Sequence, residues 1–381
     1  MSAASGPSRR EALREASRGR LVVKIGSAVL TDGKGRLDPK VIRRVADEVA
    51  PLATARRWPC VVSSGAIAVG TGVLGLSQRP RTMAGLQSAA AIGQSKLVEA
   101  WSRAFARHHV PVAQVLLTHS DLADRRRFLN ARRALGELER RRALAVINEN
   151  DTVAFEEIAF GDNDELAAMV TNLVDATLLV MLSTAPGVLD ELGDRIAVAS
   201  AGDPHLDAVA RPGTSSVGRG GMISKLRAAR VACARGAHVA ILPGKTAGVL
   251  RAFLQGEDVG TLLVPDRARP LRSRHHWIAH ARRPAGALVV DAGAAEAVRR
   301  RGKSLLAKGI LGVEGRFGAG AAVELREAGA AGAFARGLVR YDAEALEGLR
   351  TGHRSAEGLP SGDAVVHRDD LVLLPEDVAT G

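Results

Sequence analysis

The chain has 381 residues, of which 46% are hydrophobic, and a mean hydropathy of +0.03, values typical of a soluble globular protein. It is longer than one typical domain, so two domains are expected. The formal net charge is +12, with 45 Arg against 8 Lys, and aromatic residues make up only 3%. The arginines are scattered and the aromatics are too few for a dispersed base-stacking surface. The net positive charge is therefore better explained by arginines spread over the whole chain than by a groove dedicated to nucleic acid.

Cysteine usage and the amino-terminal segment bear on the compartment. Cys60 and Cys233 lie far apart in apolar runs, without the spacing of metal ligands, which is typical of buried thiols in a reducing compartment. No apolar run approaches the ~20 residues of a membrane helix. Residues 1–19 lack the apolar core of a secretory signal and are predicted to form a disordered tail. A cytoplasmic protein outside the membrane is therefore expected.

Two junctions between a strand and a turn open the chain. Leu21–Ile25 predicts a buried strand that carries Lys24 and ends in a turn at Gly26. Trp58–Val62 predicts a second strand, which runs through the turn Ser63–Gly65 into a helix. Backbone N–H groups at such a helix start bind anions. A tight packing turn without a ligand is an equally good interpretation of the second junction.

The stretch 143–182 holds the densest polar groups. A predicted strand at Leu144–Ile147 is followed at once by the amides and carboxylates of residues 148–151. A second polar cluster, residues 161–164, precedes a predicted helix, and Thr177–Leu182 predicts another buried strand. Ligands bind at strand ends of this kind in open α/β sheets. The groups suit a small zwitterionic ligand and a cation-assisted reaction.

A glycine-rich turn opens a later helix. Gly218–Met222 leads into the predicted helix Ile223–Arg235, with Lys225 in its first turn. A cation at this place opposes the helix dipole unless an anion lies nearby, so Lys225 is a ligand candidate. Strands and helices alternate as far as Val264. This alternation predicts a mostly parallel sheet sandwiched by helices.

The pattern changes near residue 265. Residues 265–284 are rich in Arg, His and Pro and are predicted to be a linker. Residues 285–370 contain short apolar strands between glycine turns, which predicts a small, mainly β domain. The α/β domain is accordingly assigned to residues 20–264.

Several motifs in order resemble those of one family. There is no Walker A sequence, and no GxGxxG follows the first strand, so P-loop and dinucleotide-binding folds are disfavoured. The chain instead resembles the amino acid kinase family over about residues 20–370, followed by a PUA domain. The motifs are LVVKIGSAVL (21–30), SSGAIAVG (63–70), AAIGQSKL (90–97), DRRRFLNAR (124–132), VINENDTVA (146–154), GDND (161–164) and GRGGMISKL (218–226), with AGALVVDAGA (285–294), KSLLAKGI (303–310) and AVVHRDD (364–370) in the PUA-like part.

The resemblance implies an activity and its partners. It implies ATP-dependent phosphorylation of the side-chain carboxylate of L-glutamate to L-glutamyl 5-phosphate, the first step of proline biosynthesis. It also implies Mg²⁺ dependence, feedback inhibition by proline, a cytoplasmic homo-oligomer and, at the PUA domain, binding of RNA. No protein ligand for the metal is assigned.

The resemblance also implies roles for individual residues. Lys24 and Lys225 would contact the ATP phosphates from two sides, and Asp164 would hold the two lysines. The residues that match the glutamate-binding positions are Ser64, Asn148, Asp151 and Asn163. The residues on the nucleotide side are Lys24, Gly26, Ser183, Thr184, Arg219, Gly220, Gly221, Met222, Ser224 and Lys225. Gly26, Gly65, Gly220 and Gly221 would let backbone N–H groups approach phosphate closely.

Three departures from the family pattern and two alternatives remain. Thr184 stands where an acidic residue is common, the segment after Gly187 is short, and Ser27-Ala28 replaces a more hydroxyl-rich turn. Another amino acid kinase, acting on N-acetylglutamate, aspartate, carbamate or UMP, is one alternative. Asp151 argues against N-acetylglutamate because acetylation removes the ammonium that a carboxylate would bind. The second alternative is an RNA-binding PUA protein with a vestigial kinase domain.

Overall fold

The computed structural model describes residues 8–32, 36–54, 57–153, 163–209, 221–265, 284–330, 332–350 and 364–374. The chain divides into two compact units, Met1–Pro270 and Leu271–Gly381. No helix in these described ranges is long and apolar enough to cross a membrane.

The first unit contains an eight-stranded sheet with helices packed against it. Its strand order is β3-β4-β2-β1-β5-β7-β8-β6, and every neighbouring pair is parallel except β7 and β8. The strands are β1 Leu21–Ile25, β2 Pro59–Ser63, β3 Val112–Leu117, β4 Leu144–Glu149, β5 Leu178–Ser183, β6 Val198–Ser200, β7 His238–Pro243 and β8 Thr261–Val264. The described helices are α1 Arg9–Ala16, α2 Ser27–Leu30, α3 Pro39–Val49, α4 Ala66–Val73, α5 Met83–Ala106, α6 His119–Ala123, α7 Arg125–Arg140, α8 Asn163–Leu173, α9 His205–Val209, α10 Met222–Cys233 and α11 Val249–Gln255. This architecture confirms the predicted mostly parallel sheet.

Strand β1 lies at the centre of this sheet. All five of its residues are buried, and it pairs with β2 on one side and β5 on the other. The apolar run LVVKI is what a strand covered on both faces requires. Lys24 is its one charged residue and is only 5% exposed. In the sheet, Lys24 lies opposite Val62 of β2 and Met181 of β5.

The amino-terminal segment corrects one prediction. Residues 1–19 were expected to be disordered, but Arg9–Ala16 form the helix α1. Ser8 and Glu11 make a reciprocal capping box, and Leu13 is buried in the main core. Arg9 donates to the carbonyl oxygens of Ala197, Glu257 and Val259 at 2.7–3.1 Å. The helix is therefore held by distant parts of the chain, which a local sequence pattern does not reveal.

Helices α4 and α5 pack with their backbones almost in contact. A Cβ atom built on Gly93 would lie 1.8 Å from the carbonyl oxygen of Ala66, and one on Gly70 would lie 1.7 Å from that of Ala89. Real Cβ atoms do not approach so closely, so both positions need glycine. Because α4 begins immediately after Ser64-Gly65, the position of α5 sets the position of that turn.

The second unit contains a six-stranded sheet in the order β10-β14-β13-β12-β9-β11. Its strands are β9 Gly286–Val290, β10 Leu305–Leu306, β11 Ile310–Gly315, β12 Ala322–Glu327, β13 Ala333–Val339 and β14 Ala364–Leu373. The pairs are antiparallel except β9 with β12, and the helices α12 Ala292–Arg299 and α13 Ala343–Arg350 accompany them. A mainly β domain is confirmed. Most of the predicted linker, residues 266–283, lies outside the described residues.

Candidate active site

The candidate site lies at the carboxyl ends of the central strands. β4, β2, β1 and β5 are adjacent and parallel, so their carboxyl ends share one edge of the sheet. The chain order reverses about β1, since β2 follows on one side and β5 on the other. Ligands bind at such a switch point in open α/β sheets. Six of the residues singled out from sequence contact one another at this edge: Lys24, Ser64, Asn148, Asn163, Asp164 and Lys225.

One carboxylate joins the two lysines. Asp164, at the second position of α8, is fully buried. Lys24 Nζ lies 2.5 Å from Asp164 Oδ1, and Lys225 Nζ donates to Asp164 Oδ2 at 3.0 Å. Lys24 comes from β1 and Lys225 from the first turns of α10, so three separate segments meet here. Ser224 Oγ also lies 3.2 Å from Asp164 Oδ2.

The ion pairs determine the charge state of this group. Burial alone would raise the pKa of Asp164, but the two adjacent ammonium groups outweigh it and hold that pKa well below its usual range. The carboxylate is therefore charged at every physiological pH. With Lys24 and Lys225 the cluster carries one excess positive charge, in a setting where both lysines are at most 7% exposed. Such a buried net charge favours an anionic ligand.

A group of amides lies beside the ion pairs. Asn163, the first residue of α8, donates through Nδ2 to Ser64 Oγ and to Asn148 Oδ1, each at 2.9 Å. Asn148 Oδ1 also accepts from the backbone N–H of Glu149 at 2.9 Å. The start of α8 thus points Asn163 at the ends of β2 and β4, while the next residue, Asp164, pairs with the lysines.

Asp151 follows β4 and is partly buried. Burial and, next, the negative charge of Glu149 raise the pKa of Asp151 to about 7, against a smaller opposing effect of Arg79. Glu149 itself is buried and lies 3.4 Å from Nδ1 of His119. Asp151 is therefore a carboxyl group that titrates near neutral pH, and a cationic ligand beside it would favour its charged form.

The residues predicted on the nucleotide side are only partly brought together. Ser183 is buried at the end of β5, whereas Thr184 is exposed beside it. Gly221 caps α10, and Met222 and Ser224 lie in its first turn with Lys225. Arg219 and Gly220 lie outside the described residues.

Among the described glycines predicted to approach phosphate, one has a backbone conformation that favours glycine. Gly65 has a φ of +104° at the start of α4, a conformation that strongly favours glycine. Gly26 and Gly221 have φ values of −71° and −73°, which any residue adopts. Their small size, rather than their backbone conformation, is what could admit a phosphate.

Two buried polar residues were missed by the residue-level predictions. Gln94 of α5 accepts a hydrogen bond from Asn148 Nδ2 at 2.7 Å. Ser63 accepts one from Trp101 Nε1, also of α5, at 2.9 Å. Gln94 belongs to the motif AAIGQSKL, which supported the resemblance without a role for any of its residues. Within the described helix α5, Gln94 is the one polar side chain on the buried face, and that is the signal that marks it.

Comparison with known proteins identifies the family. Residues 19–243 match the amino acid kinase family and residues 286–357 match the PUA domain. The chain therefore belongs to the amino acid kinase family. Within it, the chain is 45% identical to the glutamate 5-kinase of Pelobacter propionicus over 377 residues, which cover 96% of this chain and 100% of that protein. It is 46% identical to the glutamate 5-kinase of Myxococcus xanthus, covering 96% of this chain and 98% of that one, and 45% identical to that of Halorhodospira halophila, covering 96% and 99%. These relatives place it in the glutamate 5-kinase group of the family.

Proposed function

We propose that the protein transfers the γ-phosphoryl group of ATP to the side-chain carboxylate of L-glutamate, giving L-glutamyl 5-phosphate for proline biosynthesis. The observation that carries the proposal is the start of α8. There Asn163 faces an amide cluster suited to a polar acceptor, and Asp164 holds two buried lysines suited to phosphate. Two consecutive residues thereby join an acceptor region to a phosphoryl region.

The chemistry needs alignment and charge cancellation rather than a base. A carboxylate is already a nucleophile, so no proton has to be removed from it before it attacks phosphorus. Two anions must approach each other, and fixed positive charge lowers the energy of the transition state between them. Lys24 and Lys225 supply that charge. Asp164 positions both ammonium groups before substrate arrives.

The acceptor end fits an amino acid with a free ammonium group. Asp151 can take the negative charge that the ammonium would pair with, and Ser64, Asn148 and Asn163 add hydrogen-bonding groups near it. An N-acylated acceptor lacks the ammonium. The acceptor is therefore proposed to be glutamate itself, and the same set of residues argues against N-acetylglutamate.

Magnesium is assigned to the nucleotide rather than to a protein cage. No group of three or more His, Cys, Asp or Glu side chains that could hold a metal occurs in the ranges that the structure describes. Asp164 already has both oxygens engaged by lysines. Mg²⁺ commonly reaches kinases on the substrate phosphates with few protein ligands, so the proposed co-substrate is the Mg²⁺ complex of ATP.

The proposal is tested by substrate-dependent ADP release from purified protein with ATP and Mg²⁺. Glutamate, N-acetylglutamate, aspartate and UMP are compared, with hydroxylamine present to trap an acyl phosphate. Release with glutamate alone, together with a hydroxamate, supports the proposal. Release with a different acceptor would keep the class of enzyme and overturn the substrate.

Two further properties are proposed from family membership. Inhibition by proline is tested in the same assay, where competition with glutamate is expected. A homo-oligomer is tested by light scattering of the full chain, where a mass at least twice the 39.9 kDa of one chain is expected.

A second function, binding of RNA, is favoured by one observation in the PUA domain. A cavity of about 900 Å³ lies between α12, β10 and β14. Among the described residues, the basic side chains that line it are Lys303, Lys308, Arg340 and Arg368, and Asp291 is the one acidic side chain in its lining. This function would be supported by RNA binding that persists at physiological salt. The salt dependence of that binding should also be smaller in a Lys303→Ala/Arg368→Ala variant. Binding that disappears at that salt would contradict it.

A further inference from the structure

Gln94 is a buried amide whose hydrogen bonds are only half used. Its side chain is 8% exposed, and its Oε1 accepts from Asn148 Nδ2 at 2.7 Å. Its Nε2 is buried and has no hydrogen-bond partner among the described residues. Leaving a buried donor without a partner destabilises the folded protein. An apolar side chain of the same size would avoid that penalty but would leave Asn148 Nδ2 without this acceptor.

The hydrogen bonds around Asn148 have only one consistent direction. The backbone N–H of Glu149 can only donate, and it donates to Asn148 Oδ1. The Nδ2 of Asn148 must then point the other way, where Gln94 Oε1 receives it. A rotated Asn148 amide would place its NH₂ group against two donors, the Glu149 N–H and Asn163 Nδ2. Gln94 thus supplies the acceptor that completes the correct orientation.

That orientation passes on to Asn163. Because Asn148 presents its oxygen, Asn163 turns its Nδ2 towards it and towards Ser64. The Asn163 Oδ1 acceptor is thereby directed away from both, and within the described residues it receives no hydrogen bond that the structure records. An amide oxygen in this position can accept a hydrogen bond from an ammonium group and repels a carboxylate.

Helix α5 makes a second contact of the same kind. Trp101 lies seven residues after Gln94, on the same face of the helix, and donates to Ser63 Oγ at the end of β2. The close α4–α5 packing fixes the position of the helix beside both strand ends. Gln94 is therefore carried on a rigid element, as a positioning group should be.

We propose that Gln94 is a positioning residue for the amino acid acceptor, acting through Asn148 to set the direction of the Asn163 amide. This inference rests on the proposed function of the site. Gln94 is not proposed to touch the reacting atoms.

The first test compares variants in steady-state kinetics. Gln94→Met keeps the volume and removes the acceptor, so the KM for glutamate should rise about 3- to 10-fold, as expected for one lost hydrogen bond, while the KM for ATP changes less than about twofold. Gln94→Glu keeps an acceptor oxygen at the same reach and should restore the glutamate KM to within about threefold of the parent. Ser95→Ala, at the exposed neighbouring position, is the control and should change neither. An unchanged glutamate KM in Gln94→Met, or equal rises in both KM values, would overturn the proposal.

The second test needs no turnover. With asparagine alone labelled with ¹⁵N, the side-chain amide signals of Asn148 and Asn163 should move and exchange faster with water in Gln94→Met and in the shorter Gln94→Asn, but not in Ser95→Ala. Unmoved signals in both Gln94 variants would overturn the inference even in an enzyme of other specificity. Failure of the proposed function would show itself differently, as a parent protein without glutamate-dependent ADP release.

Discussion

Replacing Asp164 by Asn tests how the two lysines are held. The substitution keeps the shape of the side chain and removes its charge. In the parent, Lys24 and Lys225 each lie within 3.0 Å of an oxygen of this buried carboxylate. The variant leaves two ammonium groups, 5% and 7% exposed, facing a neutral amide.

The expected effect is a large loss of stability. At an effective dielectric constant of about 20, each lysine at 2.5 or 3.0 Å attracts the carboxylate with about 6 kcal/mol. Desolvation of the charges offsets part of that attraction in the folded protein, and breaking a buried pair from one side typically costs about 3–5 kcal/mol. For a unit of this size that loss corresponds to a Tm lower by about 6–20 °C.

The assay is thermal unfolding of the ligand-free protein, followed by circular dichroism and checked by urea titration. Glu165→Gln is the matched control, because this neighbouring carboxylate has a side chain that is 50% exposed, and its loss should change the Tm by less than about 2 °C. Added tripolyphosphate should stabilise Asp164→Asn by supplying the missing negative charge. A Tm for Asp164→Asn within 2 °C of the parent would refute the reasoning that one carboxylate compensates both lysines.

Three further predictions concern the lysines, the ammonium site and the helix contact. Lys24→Ala and Lys225→Ala should each lower kcat at least about 100-fold in folded protein, whereas the exposed Lys96→Ala should not; a loss below tenfold would contradict the proposed roles. Asp151→Asn should raise the glutamate KM at least about tenfold with little change for ATP. Burial raises the pKa of Asp151 to about 7, so its charged form is lost as the pH falls. The parent's KM for glutamate should therefore rise by up to about tenfold per pH unit below 7, and the Asn variant should lose this dependence. Parallel pH profiles of the glutamate KM in parent and variant would argue against the assignment. Gly93→Ala should lower the Tm by several degrees, because its Cβ would lie 1.8 Å from a carbonyl oxygen. Gly72→Ala should keep or raise the Tm, because this position on α4 faces open space. Equal Tm values for the two variants would show that α4 and α5 separate easily.

The central strands and the lysines were accessible from sequence. A continuous apolar run marks a strand covered on both faces, and β1 has the predicted limits, Leu21–Ile25. Lys24 inside that run and Lys225 in a first helical turn are both anomalies of local electrostatics, and such anomalies are visible without a structure. The structure adds that Asp164 is the anion next to both of them.

Other features depend on contacts between distant residues. Helix α1 is short and rich in arginine, and what holds it is the burial of Leu13 and the contacts of Arg9 with residues 197–259. The role proposed for Gln94 depends on which way α5 faces and on the direction of an amide two segments away. The capping pair Ser8 and Glu11 is a local signal for the start of α1. The contacts that hold this helix and the direction of the amide arise only when the chain has folded.

The position of Lys24 also bears on the fidelity of folding. Parallel strands rich in Val and Leu, such as β1, β2 and β5, can slide past one another with little change in apolar contact. Side chains alternate between the two faces of a strand, so a slip of β1 by one residue would turn Lys24 to the opposite face, away from Asp164. An ammonium group would then be buried without a carboxylate, at a penalty of several kcal/mol. The charge that prepares the site for phosphate therefore also rejects a misaligned sheet, and substitutions that neutralise it should widen the range of misfolded products as well as slow the reaction.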